Sequence, residues 1–339
     1  MVRRRARAEA HGGRSRTRRS RVAAWLAAAL TGATLGVPAT AAPSAGDTLY
    51  VPWSMYLRGW TDAYIPTSEN DCVAGRPACL GQTLRELNRI HELNGKSCSH
   101  NAIFSLAYLR MTQTYGWSRD IPGYYEDVPF ANHQDAVFAR YYTDAFYNWR
   151  NGRRARVPKA WLLAFDAARN KELTGSGDLM LGMNAHINRD LPFVVAAVGL
   201  VAPDGSSRKR DFDQVEDFLA RAASPMLMET AARFDARMAD ADDPLGVFNA
   251  TVMQVISLWR ENAWRNAERL VTARTPEERR RVAASIEAQA VSIARTIKLG
   301  FRASSLLGDT AARDTFCRAN HAARAPEPYP FGTPRPYGL

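Results

Sequence analysis

One segment, residues 179–200, restricts the fold more than any other part of the sequence. It runs for 22 residues with only two charges, Arg189 and Asp190, whereas an exposed helix of this length carries several lysines or glutamates. This composition predicts a helix that is buried in the middle of a helical bundle. Pro192 removes a backbone donor, so we expect a kink or restart there, with freed backbone groups near Asn188.

The rest of the chain also favours helices. Apolar residues recur at three- and four-residue spacing in several segments. Several of these segments begin at a proline or end at a glycine, as helices often do. Because no strand-like alternation persists and no repeat is visible, we predict an all-α, multi-helix bundle. The other predicted helices are 83–93, 99–115, 132–150, 158–171, 211–237 with a break or bend at Pro225, 244–273 and 276–299.

The N-terminus has the pattern of an export signal. The first 21 residues hold nine arginines and one acid, Glu9, and an uncharged run then leads to small residues at 38–42. This order predicts a signal peptide over residues 1–42 and therefore a secreted protein. The uncharged run is shorter than the about 20 residues of a membrane span, which disfavours a retained anchor. Arg18-Arg19 also resembles a twin-arginine signal, which implies export after folding.

Removing this leader changes the charge balance. The whole chain has 45 basic and 34 acidic residues, so subtracting nine and one leaves 36 and 33. The basic excess therefore falls to three charges, and it predicts no nucleic-acid binding. The sequence leaves the oligomeric state open.

Four cysteines follow the leader, at positions 72, 79, 98 and 317. An even count in an exported chain predicts two disulfides, with three possible pairings. We favour Cys72 with Cys79 and Cys98 with Cys317, and a cysteine zinc site is disfavoured by the spacing. We expect an extended N-terminal arm over residues 43–79, a single helical domain over 43–324 and a proline-rich coil over 325–339.

The buried segment carries the main candidate site, in Gly182-Met183-Asn184-Ala185-His186-Ile187-Asn188-Arg189-Asp190-Leu191-Pro192. On a helix, His186 and Asp190 share one face, and Asn184 and Asn188 share another. Each buried polar group must be hydrogen-bonded or bound to something, since an unpaired group costs several kcal/mol.

We interpret His186 and Asp190 as catalytic residues that ligate a divalent metal, with zinc favoured. His133, Asp135 and Asp211 are the candidates for further ligands. A metal with an open position generates hydroxide, which predicts a hydrolase.

Two alternatives need no metal. Asp190 could orient His186 in a structural polar network, with asparagines capping the carbonyls freed by Pro192, or the pair could act in metal-free acid–base chemistry. The aromatic residues within 141–161 predict core packing or a groove for an apolar ligand. Lastly, His91 is expected at the surface.

The run quoted above resembles an actinobacterial family of unknown function, and so do residues 137–142 and 158–161. This resemblance implies a helical fold over much of the mature chain and no particular substrate. The His186–Asp190 spacing is also similar to a pair in the zinc-dependent phospholipase C and single-strand nuclease group. That group has a further histidine shortly after the aspartate, and residues 191–200 contain none.

The leading functional hypothesis is an exported metal-dependent hydrolase of ester or phosphoester substrates, small or lipid-like. Its alternative is a non-enzymatic secreted protein that binds an apolar ligand or a partner. The two hypotheses differ in what contacts His186: converging ligands favour the hydrolase.

Overall fold

The computed structural model describes residues 59–241, 247–303 and 309–339, so the predicted leader lies outside the described residues. Across these ranges the regular structure is helical, with isolated bridges in place of strands. The predicted all-α class is therefore confirmed. No helix in these ranges is long and apolar enough to cross a membrane. The α-helices are α1 (Ala78–Lys96), α2 (Ala102–Arg119), α3 (Val128–Arg150), α4 (Lys159–Arg169), α5 (Gly175–Asn184), α6 (Leu191–Val198), α7 (Lys209–Arg233), α8 (Val247–Thr272), α9 (Pro276–Gly300) and α10 (Thr310–Asn320).

Side-chain caps fix where several helices begin. Asp127 accepts a hydrogen bond from the N–H of Phe130 at the start of α3, and Thr275 accepts one from Glu278 at the start of α9. Short oxygen-bearing side chains at these positions satisfy backbone donors that the first helical turn leaves unpaired. At α7, by contrast, Pro225 does not end the helix, which continues through it to Arg233.

The buried segment forms the centre of the bundle. Helix α5 continues through a π-helical turn, Ala185–Asp190, directly into α6, which has Pro192 in its first turn. In the π turn the N–H of Leu191 donates to the carbonyl of His186, five residues earlier. Helices α3, α4, α8 and α9 surround this turn. The predicted irregularity before Pro192 is therefore confirmed, and its form is a wider helical turn.

Both predicted disulfides are present. Cys72 pairs with Cys79, and Cys98 pairs with Cys317 across 219 positions of sequence. The described part of the N-terminal arm is irregular and packs on α3, where Trp60 and Tyr64 contact the apolar cluster around Phe130.

The C-terminal residues after α10 are irregular, and they pack tightly on the helices. The hydroxyl of Tyr329 donates to buried Glu229 at 2.8 Å, and Arg110 donates to the carbonyl of Arg335 at 2.9 Å. The ring of Tyr337 stacks on His91, with 5.5 Å between centroids. His91 is fully buried, so the prediction of a surface position is wrong, because the C-terminal coil covers that face of α1.

Candidate functional site

The π-helical turn places His186 inside the bundle, with 6% of the residue exposed. π-turns are rare and occur often at functional sites. Here the turn has a local cause: Pro192 offers no N–H to the carbonyl of residue 188, so the ordinary helical ladder cannot continue. Two side chains of the turn, Arg189 and Asp190, bond to the neighbouring helices α9 and α4.

Aromatic rings enclose the imidazole of His186. The Phe138 ring stacks on it with centroids 3.5 Å apart and planes 6° apart, and the Tyr108 ring contacts it edge-on at 4.2 Å. Phe104, Trp161 and Tyr142 complete the enclosure at 5.8, 6.2 and 6.4 Å. We call these five residues the aromatic cage.

Both ring nitrogens of His186 lack a hydrogen-bond partner among the described residues. Burial lowers its pKa well below the ordinary value, since nothing in the cage compensates the charged form. The ring is therefore neutral at physiological pH, and it presents one donor nitrogen and one acceptor nitrogen.

Tyr108 adds a second unpartnered group to the site. Its hydroxyl is buried and has no hydrogen-bond partner in the part of the chain that the structure describes. Burial raises its pKa well above the ordinary value, and the charges of Asp135 and Asp190 raise it further. The phenol thus stays protonated, and the negative charges of two predicted site residues, Asp135 and Asp190, favour this neutral form.

Asp135 lies on α3, one turn before Phe138 and on the same face. No hydrogen bond from a described residue reaches its carboxylate. Burial raises the pKa of Asp135 to about 7, against the opposing charge of Arg119. Such a pKa suits proton exchange near neutral pH. Both Asp135 and Phe138 keep part of their surface exposed, so this side of the site reaches solvent.

Asp190 is hydrogen-bonded to Trp161 and Arg189. One oxygen accepts from the indole N–H of Trp161 at 2.7 Å, and the other accepts from Arg189 at 2.9 Å. Arg189 also donates to Glu287 of α9 at 2.9 Å. Burial raises the pKa of Asp190 to about 6, and Arg189 opposes this increase. Asp190 therefore holds the cage wall and the π-turn in place.

Two further predicted ligands lie at other places in the fold. The ring nitrogens of His133 are each 2.9 Å from a backbone carbonyl, of Cys72 and of Asp62, in the N-terminal arm. The carboxylate of Asp211 accepts from the backbone N–H groups of Glu126 and Asp127. Both residues tie loops to helices.

The hydrogen bonds of the motif's asparagines go to a backbone carbonyl and to each other. Asn184 donates to the carbonyl of Ala290 at 2.9 Å, and Asn188 donates to Asn184 at 3.1 Å. Their amide network connects the turn to α9.

Sequence reasoning missed Tyr108 and the cage residue Phe138 as members of the site. Their helical spacing indicates buried faces of α2 and α3, which is also what ordinary core residues show. The available signal was the pairing of aromatics four apart, Phe104 with Tyr108 and Phe138 with Tyr142. It became informative only when the fold placed both pairs against His186.

A family model matches residues 80–299, which include every residue of the site. No curated protein and no solved structure matches the sequence significantly.

Proposed function

The chain belongs to this matched family, described as a family of unknown function (DUF5995), and we propose that it is an exported protein that binds a small, uncharged, largely apolar molecule beside His186. One observation carries this proposal: the nitrogens of His186 and the hydroxyl of Tyr108 are buried and have no hydrogen-bond partner within the described residues. Buried polar atoms in folded proteins nearly always have a partner, and a bound guest would supply it here.

The surrounding side chains define the chemistry of the guest. The neutral imidazole and the neutral phenol each offer a donor and an acceptor, so a hydroxyl or carbonyl group fits them. The aromatic cage favours a ring or a short apolar chain for the rest of the molecule. An anionic group is disfavoured, because the nearby cation Arg189 already binds Asp190 and Glu287.

Ligand-observed NMR tests the proposal with phenol and benzyl alcohol as probes and toluene as the apolar counterpart. We expect saturable binding of the hydroxylated probes, and at least tenfold weaker binding in His186→Phe and Tyr108→Phe. Tyr124→Phe is the matched control, because the Tyr124 hydroxyl donates to Asp217 on the surface. If neither hydroxylated probe binds, or if they bind equally to all variants, the proposal is wrong.

A metal-dependent hydrolase of ester or phosphoester substrates is the second candidate. The nitrogens of His186 and the carboxylate of Asp135, which accept no hydrogen bond from the described part of the chain, are donors that zinc accepts. The remaining predicted donors do not complete the set, because Asp190 is engaged and His133 and Asp211 lie elsewhere. Within the described ranges no three such side chains form a metal-binding group, so the donor set fits zinc poorly.

Elemental analysis decides between the two candidates. Purified protein incubated with zinc, and the double variant His186→Ala with Asp190→Ala, should both lack stoichiometric metal after desalting. Stoichiometric zinc that is lost in the double variant, with the fold retained, would favour the hydrolase.

A further inference from the structure

Helix α10 is attached to the rest of the molecule mainly through polar contacts. Arg313 and Cys317 are its buried residues. Arg313 donates to Asp178 of α5 at 2.7 Å, while Asp314 binds both His100 and Lys171. Little apolar surface holds α10, so its position depends on these ionic contacts and on the disulfide.

The disulfide at this helix differs from the other one in two respects. Cys72 and Cys79 are 4% and 0% exposed, whereas Cys98 is only partly buried. Cys98 also has a φ of 51°, in the left-handed region that is strained for a residue with a side chain. Cys317 is 4% exposed and belongs to the core, so Cys98 is the side from which a reagent reaches the bond. Opening the bond allows the backbone at Cys98 to relax.

We propose that Cys98–Cys317 is an exchange site for a small dithiol, and that its reduction releases α10 together with the C-terminal coil. The reagent's thiolate attacks Sγ of Cys98, the less buried of the two cysteines, and forms a mixed disulfide. The Cys98–Cys317 bond breaks, and its electron pair leaves on Sγ of Cys317, which takes up a proton. The second thiol of the reagent then displaces Cys98, which leaves two protein thiols and a cyclic reagent disulfide.

The released segment is more than α10 alone. The coil that follows contributes Tyr329 to buried Glu229 and Tyr337 to the stack on His91. Release would uncover His91, Glu229 and the arginine Arg233, whose Nε donates to the carbonyl of His321.

Timed reduction of the full-length, folded protein with dithiothreitol tests the exchange step. Samples are alkylated with iodoacetamide, digested and analysed by mass spectrometry, with Cys72–Cys79 as the control inside the same molecule. We expect Cys98 and Cys317 to be alkylated at least about tenfold faster than Cys72 and Cys79, because Cys98 is less buried than either cysteine of the control pair. Equal rates, the reverse order, or reduction only in denaturant would overturn the proposal.

Hydrogen exchange of the reduced protein tests the release. Amides of residues 310–320 should exchange at least about tenfold faster after reduction, while those of α5 and α9 keep their protection. Unchanged protection of 310–320, or loss of protection throughout the molecule, would contradict a local release.

Discussion

Replacing His186 with phenylalanine should stabilise the ligand-free protein. The imidazole makes no hydrogen bond to described residues, so the substitution removes two buried, unpaired nitrogens and breaks no described hydrogen bond. An unsatisfied buried polar group costs roughly 1–3 kcal/mol. The imidazole already lies 3.5 Å from the Phe138 ring, centroid to centroid. The larger phenyl ring will therefore crowd Phe138, which offsets part of the gain in stability. We expect a net increase of about 1 kcal/mol in the free energy of unfolding.

The same substitution at His133 is the matched control. Both histidines are buried, but the ring nitrogens of His133 face backbone carbonyls at 2.9 Å. His133→Phe leaves a buried carbonyl without its donor, so we expect a loss of about 1–3 kcal/mol. The contrast between the two variants separates a histidine kept for binding from one kept for structure.

Urea denaturation followed by circular dichroism at pH 7.5, with disulfides intact, measures both variants. An equal slope against urea concentration makes the midpoints comparable. If His186→Phe destabilises the protein by more than about 2 kcal/mol, the nitrogens of His186 are hydrogen-bonded in the folded state. The inference of an unoccupied binding group would then fail.

Three other substitutions test the surroundings of the site. Asp135→Asn should remove a loss of stability between about pH 4 and pH 7, because the folded-state pKa of about 7 lies above the ordinary 3.8. The full pKa difference corresponds to roughly 4 kcal/mol of unfolding free energy, and partial exposure of Asp135 reduces the expected gain in stability at pH 8 to about 1–2 kcal/mol. Urea denaturation at pH 4 and pH 8 measures this gain. An equal dependence of stability on pH in the wild type and the variant would refute the prediction. Gly182→Ala should lower the melting temperature by several degrees, because the added Cβ would lie 2.3 Å from the Phe104 ring. In the control Gly81→Ala, the added Cβ meets only the end of the Arg85 side chain at 3.5 Å, so the melting temperature should not change. Trp161→Phe leaves one oxygen of Asp190 unpaired, so it should lower the free energy of unfolding in urea by roughly 2–3 kcal/mol. In the control Trp149→Phe, the partner Asp166 is also bound by arginines, so the loss should be under about 1 kcal/mol. Similar losses in both variants would contradict the assigned role of Asp190.

Hydrophobic patterning was sufficient to predict the fold class and the buried central helix. A segment with two charges in 22 residues has few alternatives to a buried helix, and Pro192 located its irregular turn. Of the three possible disulfide pairings, the sequence favoured the one that is present, in which one pair closes a short loop and the other connects the first helices to the last.

The contacts of the site could not be predicted in the same way. Spacing indicates which residues share a face of a helix, but not what lies opposite that face. The hydrogen bond between the neighbours Arg189 and Asp190 is one example, since adjacent residues on a regular helix do not face each other. Tyr108 and Phe138 reach His186 from two other helices, and only the tertiary fold brings them together.

The buried position of His91 could not be predicted for a similar reason. Its neighbour Glu92 indicates a surface face of α1, and the residue that covers His91, Tyr337, follows it by more than 200 positions. Proline-rich coils carry no periodic signal that would show where they pack.

The most direct test of the binding site is NMR of protein with ¹⁵N-labelled histidine, titrated with phenol. If the phenol hydroxyl bonds to the imidazole, the ring nitrogens of His186 shift with saturation, while those of His133 and His100 stay constant. Unchanged His186 signals at phenol concentrations that saturate any observed binding would contradict the account, because the guest would then lie somewhere else.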